Sequence, residues 1–367
     1  MTRSTLDRPS RLFVAVNNGG LGGGEFMALE VAREARRHGI PCAVVAPAAP
    51  SGVLDAAAAE GMPCVRIPAR DRRGYLLRLA WWRATHREGL LWCAGLIPAV
   101  AALGDRQKVV HLHKLPEGPV QRTLTRLARL GARTTLVPSE FMARHVRGAD
   151  VLPNWTLGPD PLGDPAPTPQ LPADRPPTIG YLGRLTTAKG VLDLLAAVET
   201  LASTTRPDLR LVLAGEPLFG GDADQVCRAL DSAAARRPGQ VEQLGRVASP
   251  TDLFARIDLL VVPSRAPESF GLVAAEAMAA RIPVAVTDAG ALPEVVGDGY
   301  PFVARAGDPA HLAATIDRAL SALEDPGLRR TLVADGRTRW AGSYAPGVGR
   351  SRLSTIFARL GWTGVSP

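Results

Sequence analysis

One stretch of the chain shows its architecture most clearly: Asp258-Leu259-Leu260-Val261-Val262-Pro263-Ser264, then Arg265-Ala266-Pro267, then Glu268-Ser269-Phe270-Gly271-Leu272-Val273-Ala274-Ala275-Glu276. The apolar run that ends in proline and serine predicts a short buried strand. The residues after it are good helix formers, and Pro283 lies just beyond them. We therefore predict a strand, a loop, and a helix that begins near Phe270 or Gly271.

The two glutamates of this stretch, Glu268 and Glu276, are eight residues apart. On a helix this spacing would separate them by roughly 12 Å and by about 80° around the axis. Such a pair is poorly placed to flank one glycosidic bond, where catalytic carboxylates lie about 5 to 9.5 Å apart. It suits the two ends of a long polar ligand instead. The helix start between them offers free N–H groups to a phosphate, so the pattern indicates a nucleotide sugar.

Length and composition are those of a globular protein of two domains. The chain has 367 residues, of which 46% are apolar and 21% charged. The net charge of +8 rests on arginine, because lysine occurs only at Lys108, Lys114 and Lys189. This bias is typical of a GC-rich bacterial genome. A basic balance favours anionic partners such as nucleotide sugars, and no aromatic-interleaved basic patch indicates nucleic acid.

The cysteines and the apolar segments predict a cytoplasmic protein. Cys42, Cys64, Cys93 and Cys227 are scattered among apolar residues without metal-binding spacing, which favours reduced core thiols. Residues 1–10 are polar, and the longest apolar run, 90–103, is too short to span a bilayer. Peripheral contact with a membrane stays open, although we favour an acceptor that is soluble.

The first half of the chain opens with a predicted strand, Arg11 to Val16, a glycine-rich turn, and a helix from Glu25 to His38. The turn lacks the glycine spacing of a dinucleotide fingerprint, and the next strand carries no ribose-binding acid. A helix about Trp81 and Trp82 is predicted to pack those rings in the core or on a domain surface. Val109 to His113 reads as a further strand.

The second half begins after a proline-rich segment that reads as a linker. Thr178 to Leu182 is predicted to be a strand, and a helix is predicted from Val191. Between them, Arg184 and Lys189 are placed to converge on one diphosphate, Arg as a planar fork and Lys as a point charge. The glycine spacing, and the absence of Ser or Thr after the lysine, exclude a Walker A loop.

The chain resembles the retaining glycosyltransferases of family 4. The resemblance rests on Glu268-Ser269-Phe270-Gly271 with Glu276 eight residues after Glu268, and on 183–190, which matches Gly-Arg-Leu-x-x-x-Lys-Gly. It implies that Glu268 binds hydroxyls of the donor sugar and Glu276 binds the ribose. The amides of Phe270, Gly271 and Leu272 would lie near the phosphate.

Further positions are carried over by the same resemblance. Gly22 and Gly23 match a turn beside the donor phosphates, and Gly215 matches a glycine exit near the donor. The segment containing Val247 matches one whose backbone meets the nucleobase. His113 matches a histidine beside the donor sugar that supports developing charge. Trp155 stands where the family usually has glycine, and this difference is expected to alter the cleft between the domains.

The resemblance also implies the fold and the domains. We expect the GT-B fold, with two doubly wound parallel-sheet domains facing a cleft. The expected domains are residues 1–160 on the acceptor side, a linker at 161–177, a nucleotide-sugar domain at 178–345, and a helix at 346–367 that crosses back. Asp222-Ala223-Asp224 reads as a turn, and neither a metal nor another cofactor is expected.

The predicted reaction is transfer of a hexosyl unit from a nucleotide-diphosphate sugar to an acceptor hydroxyl, with retention. The acceptor is expected to be a small natural-product or metabolite scaffold. Alternatives are a sugar-nucleotide epimerase or a phosphorylase on the same fold, a Rossmann dehydrogenase, and a non-catalytic module that binds nucleotide or carbohydrate. The sequence does not indicate an oligomeric state.

Overall fold

The computed structural model describes residues 9–158, 175–217 and 222–362. Its contacts divide the chain into two compact units. The first unit comprises the described residues up to Asn154 together with those from Gly347 onward, and the second runs from Trp155 to Pro346. The segment predicted as a linker lies mostly outside the described residues.

The first unit is built on a parallel sheet of seven strands in the order β3-β2-β1-β4-β5-β6-β7 within the described part of the chain. The strands β1 to β7 are Leu12–Val16, Cys42–Pro47, Cys64–Ile67, Leu90–Ala94, Lys108–His111, Thr134–Val137 and Asp150–Val151. Helices cover both faces of such a sheet, which explains why β1 and β4 are buried at every position.

The helices of this unit alternate with its strands. They are α1 to α6, at Gly23–Arg37, Gly52–Ala59, Arg72–Thr85, Leu96–Ala101, Gly118–Arg129 and Glu140–His145. The last helix of the chain, Pro346–Arg359, also packs here from Gly347 onward, and it is α14 in chain order. On it, Phe357 is fully buried and meets the Trp92 ring at 6.2 Å between centroids.

Five of the six tryptophans are buried, namely Trp82, Trp92, Trp155, Trp340 and Trp362. The exception is Trp81 on α3, whose side chain is 70% exposed. Trp82 therefore packs in the core, and Trp81 lies on the surface of the unit, the two positions that the sequence left open for these rings. Neighbouring residues of a helix point about 100° apart, so only one of the two can face the sheet.

The second unit has a parallel sheet of six strands in the order β10-β9-β8-β11-β12-β13, again among the described residues. The strands β8 to β13 are Thr178–Leu182, Arg210–Ala214, Val241–Gly245, Leu259–Val262, Val284–Thr287 and Val303–Ala304. Leu211 and Leu213 pack in one apolar cluster and Val212 and Ala214 in another. This alternation buries both faces of the sheet.

The helices of the second unit, α7 to α13, are Val191–Ser203, Ala223–Arg236, Pro250–Phe254, Leu272–Ala279, Leu292–Val296, Pro309–Glu324 and Pro326–Ser343. A short 3₁₀ turn, Thr187–Lys189, precedes α7. Strand β8 and the start of α7 coincide with the predicted positions. Across the described ranges, no helix combines the length and the apolar character needed to cross a membrane.

Strand order determines where a ligand can bind. In the second unit β8 lies between β9 and β11, so the chain direction across the sheet reverses between β8 and β11. In open α/β sheets, ligands bind outside the carboxyl ends of the strands at such a reversal. The loops that leave β8 and β11 carry Lys189 and Glu268. In the first unit the equivalent reversal lies between β1 and β4.

Candidate functional site

The loop after β8 is held rigidly by hydrogen bonds around the turn that carries Lys189. The Lys189 amide donates to the Thr186 hydroxyl at 3.3 Å, and the Thr187 amide donates to the Asp222 carboxylate. The Ala188 carbonyl accepts two further bonds of 3.0 Å each, from backbone amides in the loop after β11. The two loops are thus joined through their backbones.

Gly190 allows the two loops to approach closely. Its φ is +74°, and a Cβ there would lie 1.8 Å from the carbonyl oxygen of Pro263 at the end of β11. No side chain fits that space, and a left-handed φ is itself unfavourable for other residues. The glycine therefore fixes Lys189 against the end of the neighbouring strand.

The backbone of Glu268 is fixed in a similar way. Glu268 forms an isolated parallel bridge with Gly290, and its carbonyl accepts a 2.9 Å bond from the Ala291 amide. Gly290 has a φ of +70°, and a Cβ there would lie 2.4 Å from the Glu268 carbonyl oxygen. The close approach of two backbones orients the Glu268 side chain.

These supports bring Lys189 and Glu268 into direct contact. The Lys189 Nζ lies 2.5 Å from Glu268 Oε1, and the same oxygen accepts a 2.5 Å hydrogen bond from the Ser264 hydroxyl. Thr287 in turn donates to the Ser264 carbonyl at 2.6 Å. The ion pair is partly shielded, with side-chain exposures of 29% for Lys189 and 18% for Glu268.

Arg184 is the second cation of the loop after β8. Its side chain is exposed and forms no ion pair or hydrogen bond with the residues that the structure describes. Its carbonyl accepts a 2.5 Å bond from the buried Tyr181 hydroxyl. Burial raises the pKa of Tyr181, so this hydroxyl stays protonated as a donor. The backbone is fixed while the guanidinium is left available.

Gly215 follows β9 and lies next to this loop. A Cβ at Gly215 would lie 1.8 Å from the Gly183 carbonyl oxygen, and its amide donates to the Gly245 carbonyl at 2.7 Å. Val247 follows β10 and packs, partly buried, against the apolar cluster on one face of the sheet. A surface formed by backbone atoms therefore borders the loop that carries Arg184.

Helix α10 begins beside Glu268. Gly271 precedes it with a φ of +117°, and Leu272 is its first residue. Phe270 is 4% exposed and packs edge-on against Tyr344 at 5.2 Å, so only its backbone can serve a ligand. The first N–H groups of a helix lack intrahelical partners and favour an anion.

Glu276 is the fifth residue of α10 and is partly buried. Burial raises the pKa of its carboxyl from the ordinary 4.5 to about 7. No hydrogen bond or ion pair joins this carboxyl to another residue within the described ranges. A buried carboxyl without a partner is costly, which is typical of a group kept for a ligand.

The first unit holds the other predicted positions. His113 lies two residues beyond the end of β5, rather than at the strand end as predicted. Its ring touches the start of α1, because a Cβ at Gly24 would lie 3.1 Å from the His113 ring. Gly22 caps α1 in an extended conformation, and Gly23 begins the helix. The turn and the histidine therefore belong to one local site.

His113 and His111 form a buried pair whose ring centroids are 4.0 Å apart. Burial lowers the pKa of both rings, that of His113 to about 4. All four ring nitrogens are buried and lack a hydrogen-bond partner in the described part of the chain. In each neutral imidazole, one nitrogen can donate a hydrogen bond to a ligand or a water, and the other can accept one.

No group of three or more His, Cys, Asp or Glu side chains that could hold a metal ion occurs among the described residues. In the Asp-x-Asp segment that was predicted to be a turn, Asp222 precedes α8 and bonds the Thr187 amide, and Asp224 lies in the first turn of that helix. Asp222 therefore supports the loop that carries Lys189.

The structure also assigns supporting roles that the sequence did not predict. Ser264 binds the Glu268 carboxylate, Tyr181 fixes the backbone of Arg184, and Thr287 holds Ser264. Only the position of Ser264, at the end of an apolar strand and four residues before Glu268, could have pointed to it. Tyr181 and Thr287 lie inside strands and read as ordinary β residues.

Several known proteins that are similar to this chain are named as glycosyltransferases or glycan synthases. Residues 166–339 match the family model described as glycosyl transferases group 1. A phosphatidyl-myo-inositol mannosyltransferase of Mycobacterium tuberculosis is 29% identical over 351 residues, which cover 86% of this chain and 87% of that protein. A glycogen synthase of the same organism is 34% identical over 177 residues, 47% of this chain and 40% of that protein.

Solved structures of similar fold extend along nearly the whole chain. Anabaena Alr3699/HepE in complex with UDP aligns with a TM-score of 0.77 at 21% identity, covering 95% of this chain and 99% of that one. Sucrose-phosphate synthase from Thermosynechococcus elongatus has the same TM-score at 19% identity, covering 95% and 99%. The fold is GT-B, as predicted. These solved structures are similar to this chain in fold.

Proposed function

We propose that this chain is a retaining glycosyltransferase of family 4 that moves a hexosyl unit from a nucleotide-diphosphate sugar to an acceptor hydroxyl. One observation carries the proposal. Lys189, Glu268 and Ser264 form a connected polar group where the strand order of the second unit reverses. Backbone contacts that only glycine permits hold this group next to the start of α10.

The diphosphate would bind between the two cations and the helix start. Arg184 is exposed and unpaired within the described residues, and a guanidinium can bind two phosphate oxygens at once. Lys189 uses one of its three N–H bonds on Glu268 and keeps two for a phosphate. The first amides of α10, beside Gly271, add further donors.

The sugar and the ribose would each meet a glutamate. Glu268 Oε1 accepts both of the hydrogen bonds described above, and Oε2 accepts none from the described residues, so Oε2 can accept from sugar hydroxyls. Glu276 has no partner within those ranges and lies about one turn after the first residue of α10. We propose it as the acceptor of the ribose hydroxyls.

The mechanism that we propose is substitution on one face of the sugar. The bond from the anomeric carbon to the β-phosphate oxygen breaks, and a bond to the acceptor oxygen forms on the same face. The acceptor proton passes to the leaving phosphate oxygen, so no protein base is needed. Arg184 and Lys189 stabilise the negative charge that grows on the diphosphate. We propose that this step proceeds without a metal.

For His113 we propose a hydrogen-bonding role toward the sugar and not a role as an acid. Its pKa of about 4 keeps the imidazole neutral at physiological pH, and its buried nitrogens are without partners in the described part of the chain. The turn at Gly22 and Gly23 would lie near the donor phosphates, as the family resemblance implies.

The similar proteins narrow the substrates that we propose to test. One is named as a mannosyltransferase, and the Anabaena protein was solved with UDP-glucose. We therefore propose a hexose on a nucleoside diphosphate as the donor. For the acceptor we keep a small hydroxylated natural product or metabolite, and the name of the mannosyltransferase adds inositol-containing acceptors to the panel.

Two experiments test this proposal. Thermal unfolding is measured with UDP-, GDP-, ADP- and dTDP-hexoses, because a ligand that binds the native state raises the melting temperature. The best donor is then incubated with the acceptor panel, and the anomeric configuration of the product is read by NMR. An inverted product would contradict retention, and no stabilisation by any donor would contradict the binding site.

Variants separate transfer from its alternatives. Lys189→Ala and Glu268→Ala should lose transfer while the exposed Arg330→Ala on α13 keeps it. A sugar-nucleotide epimerase would change the donor without an acceptor, and a phosphorylase would require phosphate. A non-catalytic module would bind the donor and turn nothing over.

A further inference from the structure

A cavity lies in the first unit, at the end of the strands opposite to His113. It has a volume of about 340 Å³. Arg106 precedes β5, Thr134 begins β6, Asp150 begins β7, and Arg359 ends α14, and all four line it. The cavity therefore opens at the amino ends of three parallel strands, whereas His113 follows a carboxyl end.

Three guanidinium groups and one carboxylate line this cavity. Arg359 pairs with Asp150 at 2.8 Å, and the Thr134 hydroxyl donates to the same carboxylate oxygen at 3.1 Å. Arg133 donates to the Leu360 carbonyl at 3.0 Å. Arg106 is exposed and has no ion pair with any residue that the structure describes. The charge that surrounds the cavity is thus mainly positive.

One wall of the cavity is apolar. Leu136, Ile356 and Leu360 are buried side chains that line it. Gly131 lies beside the stem of Arg106, since a Cβ at Gly131 would be in ordinary contact with the Arg106 Cγ at 3.6 Å. Guanidinium groups opposite an apolar wall suit a molecule with an anionic group on a less polar body.

We propose that this cavity binds a small phosphate monoester, at a site separate from the donor site of the proposed function. Its volume falls within the range of small-molecule pockets, about 300 to 1,000 Å³. Arg106 would bind the phosphate oxygens, and Arg359 would turn from Asp150 toward them. Because the cavity is lined by β6, β7 and the end of α14, the ligand would hold these elements together and stabilise the first unit.

The test uses isothermal titration of the full chain carrying Arg184→Gln and Lys189→Gln, which removes the proposed diphosphate contacts of the second unit. Glucose 6-phosphate, inorganic phosphate and glucose are the probes. We expect glucose 6-phosphate to bind and glucose not to bind. A lack of glucose 6-phosphate binding would not contradict the donor proposal, because this double variant already lacks the proposed diphosphate contacts. No binding of glucose 6-phosphate at about 1 mM overturns the proposal.

Two further changes should act in opposite directions. Arg106→Gln should weaken binding about tenfold, because it removes a charge-assisted hydrogen bond. Asp150→Asn should tighten binding, because it removes a repelling carboxylate and frees Arg359. Arg87 is exposed, and Arg87→Gln is the matched control, which should leave the affinity for glucose 6-phosphate unchanged. Circular dichroism checks that each variant is folded. If Arg106→Gln does not fold, Arg359→Gln replaces it in the test. Equal affinity in Arg106→Gln, or no tightening in Asp150→Asn, overturns the proposal.

Discussion

Replacing Glu276 with glutamine removes a carboxyl group. Burial raises the pKa of this carboxyl to about 7. If only the carboxylate form accepts the ribose hydroxyls, the affinity for the donor depends on the ionised fraction of this group. That fraction rises from about one tenth at about pH 6 to about nine tenths at about pH 8. We therefore expect the donor to bind wild type about tenfold more tightly at the higher pH.

The assay is isothermal titration of the nucleotide sugar at steps between those two pH values. A nucleotide sugar is the right probe, because both phosphates of its diphosphate are esterified and do not titrate in this range. Glu276→Gln should bind with an affinity independent of pH, and Glu268→Gln should keep the slope of wild type. A flat profile in wild type, or an unchanged slope in Glu276→Gln, would refute the role of Glu276.

The raised pKa of Glu276 also predicts how the free energy of unfolding changes with pH. The Glu276 carboxyl has a folded-state pKa raised from 4.5 to about 7, so the folded state holds its proton over a range in which the unfolded state releases it. Wild type should therefore lose stability relative to Glu276→Gln as the pH rises through that range. Denaturant unfolding of both proteins at stepped pH measures the difference, and parallel profiles would contradict it.

Three further changes test the site. Lys189→Ala and Glu268→Ala should each lower turnover by about a hundredfold with the fold intact, since each removes a charged contact worth roughly 3 kcal/mol; turnover near that of wild type would exclude the proposed role. Gly190→Ala should lower both the turnover and the melting temperature, because a Cβ there would lie 1.8 Å from a carbonyl oxygen. The control Gly239→Ala has the same left-handed backbone but open space around it, so its free energy of unfolding should fall by only about 1 kcal/mol. Acid should destabilise the first unit, because the unfolded chain protonates His113 near its ordinary pKa of 6.5 and the folded chain only near about 4. Relative to His113→Asn, we expect wild type to lose about 2 kcal/mol of unfolding free energy between about pH 7 and about pH 5, as guanidinium titrations of both proteins would show; equal pH profiles would contradict it.

Much of the fold could be predicted from local patterns in the sequence. Continuous apolar runs that end in glycine, proline or serine gave the strands, and Thr178–Leu182 was predicted with the bounds that the structure shows. The start of α7 at Val191 was also predicted, because Gly190 stands just before it as a helix boundary signal. Both signals depend on neighbouring residues alone, so a single sequence contains them.

The direct pairing of Lys189 with Glu268 could not be predicted in this way. The sequence indicated both residues but assigned them to different parts of a ligand, and they are 79 positions apart. Their contact depends on β11 lying beside β8, which is a property of strand order. The bond from Ser264 depends on the same neighbourhood and was not predicted.

Positions at the ends of elements were also less certain than the elements themselves. His113 was placed in a strand that ends at His111, because the alternation of Leu112 with two histidines continues the strand pattern beyond the last ladder bond. The bounds of α1 differ for a related reason, since Gly23 and Gly24 begin a helix that their propensity would place later.

The exposure of Trp81 makes the protein suitable for optical study. Indole emission depends strongly on contact with water, and iodide quenches only rings that it can reach. With five of the six rings buried, Trp81 should be the single ring that iodide reaches in the native protein. Fluorescence quenching would then report on the outer surface of α3 without a label, and the Trp81→Phe variant would supply the background to subtract.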